Sequence, residues 1–487
     1  MRRFLTFLTL LVVVGCGSSN DFVATNPVNP GAPTTTGSIQ VEQTLQRAVT
    51  TFVTDIRYTG ILPNQSIGYG PETRPKAATT LLESVPTTVT SLRLEYLNGD
   101  VVIGRFEIPV EVVAGQVAVL SDPAWLNVLG PDPSFSQGGS VATGTGPTGV
   151  AAGDFNNDGR PDVAVANSED DGVTIHLGDG NGSFGAPTAI ATGNIAFNVV
   201  VGDLNGDANQ DLVVANYGNE MAMETGDISI LLGNGDGTFT AAPTLTAENQ
   251  PIATAIADFN GDGDNDLAIC NYESMSISTF IGNGDGTFGA PTNITVGPRP
   301  HDVIAADLNN DGRVDLAVAN EGFGLGGGDA STLLGNGDGT FGAPAFFPTG
   351  RNPRNADVVD VNGDGILDML TGNFTTGNCS VLLGNGDGTL GLNQEFDFGG
   401  VPLSIIAGDF NGDGRPDVAA ADSGPNQVIV LSGVGDGTFT PGTGFAAGAG
   451  AIYLDKADFN LDGKLDIAVV GFGSPPAAGN LNVLLGQ

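Results

Sequence analysis

Seven times between residues 154 and 466 the chain sets oxygen-bearing side chains at alternate positions, in the pattern Asp-x-Asn-x-Asp-Gly-x-x-Asp. A loop built this way can wrap a hard cation such as Ca²⁺, which takes several oxygen ligands at about 2.3–2.6 Å. In the first copy the candidate ligands are the side chains of Asp154, Asn156 and Asp158, the backbone carbonyl of Arg160 and the closing carboxylate of Asp162. Gly159 permits the sharp turn. The same positions give Asp203, Asn205, Asp207, Asn209 and Asp211; Asp258, Asn260, Asp262, Asp264 and Asp266; and Asp307, Asn309, Asp311, Arg313 and Asp315. They continue with Asp360, Asn362, Asp364, Ile366 and Asp368; Asp409, Asn411, Asp413, Arg415 and Asp417; and Asp458, Asn460, Asp462, Lys464 and Asp466. The expectation is up to seven Ca²⁺ ions, one per repeat. The site in the second copy should be weakest, because Ala208 stands where the others have the turn glycine. Asp and Asn also cap tight turns without any metal. Against that reading, three clustered carboxylates without a cation repel one another in every copy. An EF-hand is excluded, since the twelfth position of the first copy is Val165 rather than a closing Glu.

These loops need elements to hold them, and their spacing identifies the elements. Successive copies start 49, 55, 49, 53, 49 and 49 residues apart. A Gly-rich motif follows each of the first six by some thirty residues, ending at Phe184, Phe239, Phe288, Phe341, Leu390 and Phe439. Within the third repeat the punctuation sorts four short strands, at 252–258, 266–271, 275–282 and 289–296. Four strands per period of about fifty is the arithmetic of a β-propeller. The last repeat stops after its third strand, at Gln487, while Ser134–Gly144 resembles the fourth strand of repeat one. The predicted fold is therefore all-β: a seven-bladed propeller over 134–487, with an N-terminal strand closing the last blade and hiding its edge. Before it, residues 38–125 alternate apolar and polar, and two β-rich runs joined through Asn98-Gly99 signal a hairpin. A small antiparallel β-sandwich is expected there, acting as a spacer.

Composition narrows the partners. The 487 residues carry a net charge of −39, which repels phosphate backbones and excludes nucleic acid as a partner. Three cysteines, Cys16, Cys270 and Cys379, do not form a disulfide framework. Met1-Arg2-Arg3, the apolar run Phe4–Val14 and Gly15-Cys16 read as a signal peptide over 1–15. Its end resembles the lipobox of bacterial lipoproteins, which implies lipidation at Cys16, export and anchoring in the cell envelope. Residues 16–37, rich in Ser, Thr, Asn and Pro, read as a flexible tether.

The Phe-Gly-Ala-Pro sequences at Phe184–Pro187, Phe288–Pro291 and Phe341–Pro344, together with the acidic loops, resemble the FG-GAP or VCBS repeat family. That family is related to the propeller of integrin α chains. Strand alternation puts acidic loops and Gly-rich turns on one face. The longer connections, with Tyr217, Tyr272, Arg299, His301, Arg351, Arg354 and Tyr453, fall on the other. Binding residues concentrate on such loops. The recurring Asn167, Asn216, Asn271, Asn320 and Asn373 read as turn or cap residues. His176 and His301 have no partners in sequence that define a triad or a zinc site, so no enzyme is predicted. The expected function is an exported, lipid-anchored, calcium-binding surface module for adhesion or protein interaction, with an extracellular protein or glycan as partner. A glycan-binding protein is the alternative, followed by a polysaccharide lyase or hydrolase, which the resemblance leaves open.

Overall fold

The structure, a computed structural model, describes residues 132–219, 225–324, 327–472 and 478–487, together with the backbone of seven strands before residue 110. The leader at 1–15 and the tether at 16–37 fall outside the described residues, apart from strand backbone at Leu11–Val14 and the start of Thr36–Glu42. Cys16 is likewise outside. The chain divides into two units, Met1–Val128 and Leu129–Gln487. In the first, strands Thr36–Glu42 and Thr79–Pro86 pair antiparallel. A four-stranded antiparallel sheet runs in the order Ile67–Pro75, Asp55–Ile61, Ser91–Asn98, Val101–Pro109. Its last two strands form the hairpin expected around Asn98-Gly99.

The second unit is a seven-bladed β-propeller of four-stranded antiparallel sheets. The innermost strands are Pro147–Gly153, Ala196–Gly202, Pro251–Ala257, Pro300–Ala306, Pro353–Val359, Pro402–Gly408 and Ala451–Ala457. Each packs beside its counterpart in the next blade, and the seventh beside the first. Five of them open on proline, which lacks an N–H and suits the first residue of an edge strand. The second strands, such as Asp162–Asn167 and Asp266–Asn271, are buried along their whole length. Blades lie against both of their faces, so they read as short runs of Val, Ala, Leu and Ile without polar alternation. The fourth strands, such as Thr188–Ala191, are mostly exposed.

Closure follows the sequence expectation. Phe135–Ala142 pairs antiparallel with Asn480–Gly486 and becomes the fourth strand of blade seven. Every junction between blades is then sealed by the same apolar pairing. The residue after the first loop aspartate meets the residue ending the Gly-rich turn of the following blade. Phe155 meets Phe239 at 5.6 Å between ring centroids, Phe259 meets Phe341 at 5.3 Å and Phe459 meets Phe184 at 5.8 Å, all edge to face. Leu204 with Phe288, Leu308 with Leu390 and Val361 with Phe439 serve the same role in shared core clusters. For Phe410 the closing strand supplies the ring, Phe135 at 6.2 Å. Each aromatic pair contributes about 0.5–1.5 kcal/mol beyond its buried area.

Candidate functional site

The acidic loops link the first and second strands of every blade, and all seven have one geometry. The first aspartate accepts the N–H of the sixth loop residue: Gly159 on Asp154 at 2.8 Å, Ala208 on Asp203 at 2.9 Å, Gly414 on Asp409 at 2.7 Å. Asp258, Asp307, Asp360 and Asp458 repeat the bond. Asn156, Asn205, Asn260, Asn309, Asn362, Asn411 and Asn460 each turn their Oδ1 onto the N–H two residues on. The second carboxylate, Asp158, Asp207, Asp262, Asp311, Asp364, Asp413 or Asp462, accepts the N–H of the seventh residue. That residue is Arg160, Asn209, Asp264, Arg313, Ile366, Arg415 or Lys464.

The closing aspartates Asp162, Asp211, Asp266, Asp315, Asp368, Asp417 and Asp466 are fully buried and act as staples. One oxygen takes the N–H of the second loop residue, as Phe155 to Asp162 at 2.9 Å. The other takes the N–H of a glycine where the third strand ends, as Gly178 to Asp162 at 2.7 Å. The pair recurs in every blade. Burial pushes these carboxyls up, against the two N–H bonds and with help from the other loop carboxylates. Asp162 and Asp466 reach about 6 and Asp417 about 7, while Asp211, Asp266, Asp315 and Asp368 are raised for the same reasons.

The donor set fits a hard cation in kind: each loop offers oxygens at alternate positions, and the carboxylates at its first and fifth positions raise the pKa of the closing one. Among the described residues, however, no group of three His, Cys, Asp or Glu side chains is gathered around a common point. The oxygens face backbone N–H groups of their own blade instead. Ala208 sits at φ +67°, the left-handed region expected for a residue occupying the glycine position. Loops are also tied between blades. Gly237 donates its N–H to Phe155 O at 2.9 Å, Gly286 to Leu204 O at 3.1 Å and Gly182 to Phe459 O at 3.0 Å.

The opposite face carries a pocket of about 360 Å³ beside the ring axis. It joins four residues singled out in the sequence, Tyr217, Tyr272, His301 and Arg354, with Phe197 and Glu321. Arg354 donates from Nε and Nη2 to Glu321 Oε1 at 3.1 and 2.9 Å, and its guanidinium lies 3.9 Å over the Phe374 ring. The Tyr272 hydroxyl donates to Glu321 Oε2. Arg299 stacks over Tyr272 at 5.1 Å and Phe323 at 5.4 Å, and pairs with Glu273 at 3.1 Å. Burial alone would raise the Glu321 carboxyl; the Tyr272 hydroxyl, His301 and Arg354 outweigh it and hold Glu321 below its ordinary range. Burial brings His301 down to about 4, so its ring is neutral at pH 7. Arg351 stands exposed outside the pocket, and Tyr453 sits on the inner strand of blade seven without lining it.

Two register positions of the repeat supply every lining residue of this pocket but Ile195. One is the second residue of the inner strand, giving Thr148, Phe197, Ile252, His301 and Arg354; the other follows the recurring Asn of the second strand, giving Ser168, Tyr217, Tyr272 and Glu321. Sequence reading missed Phe197 and Glu321. Superposing the repeats would have found them, because these positions change chemistry while their surroundings stay constant. The Asn residues themselves are caps: Asn216 donates to Asp227 and Ser229, Asn271 to Ser276 and Ser278, and Asn320 to Asp329 and Ser331, bridging the second and third strands. His176 is fully buried, 3.1 Å from Thr174 Oγ1, with its pKa lowered by burial to about 4. Cys270 and Cys379 are free thiols, as the absence of a disulfide framework implies; both are buried, and burial pushes the Cys379 thiol up to about 12.

The family described as FG-GAP-like repeat matches residues 154–214, 209–269, 258–318, 360–420 and 409–469, more than half of the chain. No curated protein matches. Among solved structures, the chain is similar to BBS1N, determined in complex with ARL6DN, at 13% identity and a TM-score of 0.51, covering 73% of this chain and 98% of that one. It is also similar to a protein from Lactobacillus plantarum at 13% identity and a TM-score of 0.48, covering 81% and 96%. At this identity the likeness to BBS1N shows the fold alone.

Proposed function

The chain belongs to the FG-GAP-like repeat family, and on that premise we propose that it is a calcium-stiffened binding module for adhesion or protein interaction. It is exported, held in the cell envelope by a lipid on Cys16, and meets an extracellular protein through the face opposite the acidic loops. One observation carries this reading. The acidic loops repeat a single geometry seven times, whereas the chemically varied side chains gather around one pocket on the other face. Uniformity suits a scaffold, and variation on a rigid scaffold suits recognition.

Each ion would be held by the first, third, fifth and ninth loop side chains and the seventh carbonyl. When bound, Ca²⁺ supplies cross-linking and charge neutralisation within the loop. Sites of this kind typically bind at about 10⁻⁴ to 10⁻³ M and fill outside the cell. The aromatic walls Phe197, Tyr217 and Tyr272 favour a glycan as the second reading.

Calorimetric unfolding of the purified protein in millimolar Ca²⁺ and in EDTA tests the metal. A Ca²⁺-dependent rise in Tm with several bound ions per chain supports it, by mass action; no shift and no bound metal removes it. Cells displaying the chain, layered on immobilised extracellular proteins and glycans, test the recognition. Tyr217→Ala and Tyr272→Ala should abolish attachment, and attachment that survives both would place recognition elsewhere.

A further inference from the structure

We propose that the axial pocket is a binding site for an organic carboxylate with a flat apolar body, its charge on Arg354 and its body between Phe197, Tyr217 and Tyr272. The assignment rests on the loop face being the binding face and names what that face takes.

Charge placement is the first argument. The propeller holds eight lysines and arginines within a chain of net charge −39. Four of them, Arg160, Arg313, Arg415 and Lys464, occupy the seventh position of acidic loops, and Lys456 is tied to Asp357 at 3.5 Å. The other three, Arg299, Arg351 and Arg354, all fall in blades three to five on the pocket side. Arg354 turns one edge of its guanidinium to Glu321 and is stacked on Phe374, so its other edge is held in place for a second carboxylate. Glu321 is already paired with Arg354 and takes the Tyr272 hydroxyl on its other oxygen, and so does not answer a cationic ligand.

Unsatisfied polar atoms are the second argument. Nδ1 of His301, which lines the pocket, and Nε of Arg299, stacked on its Tyr272 wall, are both buried without a partner. Buried polar groups are ordinarily satisfied, and the His301 nitrogen would be satisfied by a ligand oxygen or by water carried with it.

Backbone strain is the third argument. The residue preceding the inner strand takes positive φ in every blade but the sixth, and the first and last blades use Gly146 and Gly450 there. Blade two uses Ile195 at φ +58°, a β-branched residue where glycine would be relaxed. Its side chain lines the pocket. Strain of this kind persists where the side chain is needed.

The test uses the full chain in millimolar Ca²⁺ and three matched probes: phenylacetate, phenylacetamide and phenethylamine, titrated by calorimetry and ligand-observed NMR. Phenylacetate should bind at least tenfold tighter than the amide, with the amine weakest. Arg354→Gln should abolish that preference in protein that still unfolds cooperatively. Should that variant fail to fold because Glu321 loses its partner, Arg299→Gln and Ile195→Gly provide the reading. Ile195→Gly should raise Tm while weakening phenylacetate severalfold. Competition by a tetrapeptide ending in Phe, but not by its C-terminal amide, would identify the source as a chain end; free acid alone would identify a small molecule. Equal affinity for acid and amide, preference for the amine, or no binding overturns the proposal. If cells still attach to an extracellular protein through this face while phenylacetate is silent, the pocket assignment falls and the interaction reading stands.

Discussion

Replacing Asp315 by Asn separates the two roles open to a closing aspartate. Its carboxylate is fully buried and accepts Leu308 N–H at 3.0 Å and Gly335 N–H at 2.8 Å. An Asn of the same shape can present oxygen to only one of these donors and must turn its own NH₂ toward the other. The loss is one charge-assisted hydrogen bond and one buried N–H left without an acceptor, each about 1–3 kcal/mol. Removing a buried negative charge offsets some of that, leaving about 3 kcal/mol. Unfolding entropy is about 2.1 cal/mol/K per residue, so a propeller of roughly 360 residues should lose about 4 °C in Tm. Differential scanning calorimetry in EDTA and again in millimolar Ca²⁺ reads the effect. A staple predicts the drop in both. If Asp315→Asn matches the parent in EDTA and falls behind only in Ca²⁺, Asp315 is a metal ligand alone and the staple reasoning is refuted.

Ala208→Gly should stabilise the protein by about 0.5 kcal/mol, since relief of positive φ slightly exceeds the added flexibility of glycine in the unfolded chain. A Cβ at the equivalent Gly312 or Gly463 meets no atom within 4 Å, so crowding plays no role, and a higher Tm with an added metal equivalent would mark blade two as the impaired site. Asp154→Ala should remove one ion from the stoichiometry found by metal analysis, while an unchanged count would take the first loop out of the metal assignment. Deleting 134–144 from the full chain should bare the edge of Asn480–Gly486 and give dimers or aggregates in size-exclusion chromatography with light scattering; a stable monomer would show that ring closure is dispensable. His176 has its pKa lowered by burial from 6.5 to about 4, so the unfolded chain binds the extra proton first and stability falls as pH drops from about 6.5 toward 4. His176→Phe should therefore lose about 2 kcal/mol less than the parent between pH 7 and pH 5 in chemical denaturation, and parallel losses would assign the acid sensitivity elsewhere.

The blades were legible because each repeat repeats its punctuation. Seven acidic loops and six Gly-rich turns bracket the strands of the third repeat to within a few residues of Pro251–Ala257, Asp266–Asn271, Ser276–Phe280 and Thr292–Thr295. The kinship of Ser134-Phe135 with Ser183-Phe184 foretold the closing strand, since one core position needs the same ring in both places. The acidic loops were legible as oxygen clusters but not as a hydrogen-bonded network. A closing aspartate fits a ligand pattern and a backbone staple equally well, and the staple shows only once Gly178 is placed beside Asp162. The pocket was half legible: Tyr217, Tyr272, His301 and Arg354 could be assigned to one face. Their convergence on Glu321 depends on the ring bringing blades two to five together around an axis, which no local pattern encodes.

The closing strand has a mechanical consequence. Tension arriving along the chain from the N-terminal side enters the ring at Ser134, whose carbonyl receives the N–H of Gln487 at 2.9 Å, and loads the pairs in order from Phe135 with Gly486 to Ala142 with Asn480. Rungs loaded in sequence break singly, so the ring opens at low force before any other blade yields. Pulling a single molecule from its N-terminal end would show this as an early, short step of the extension trace. The seam that makes the ring continuous is also its fuse.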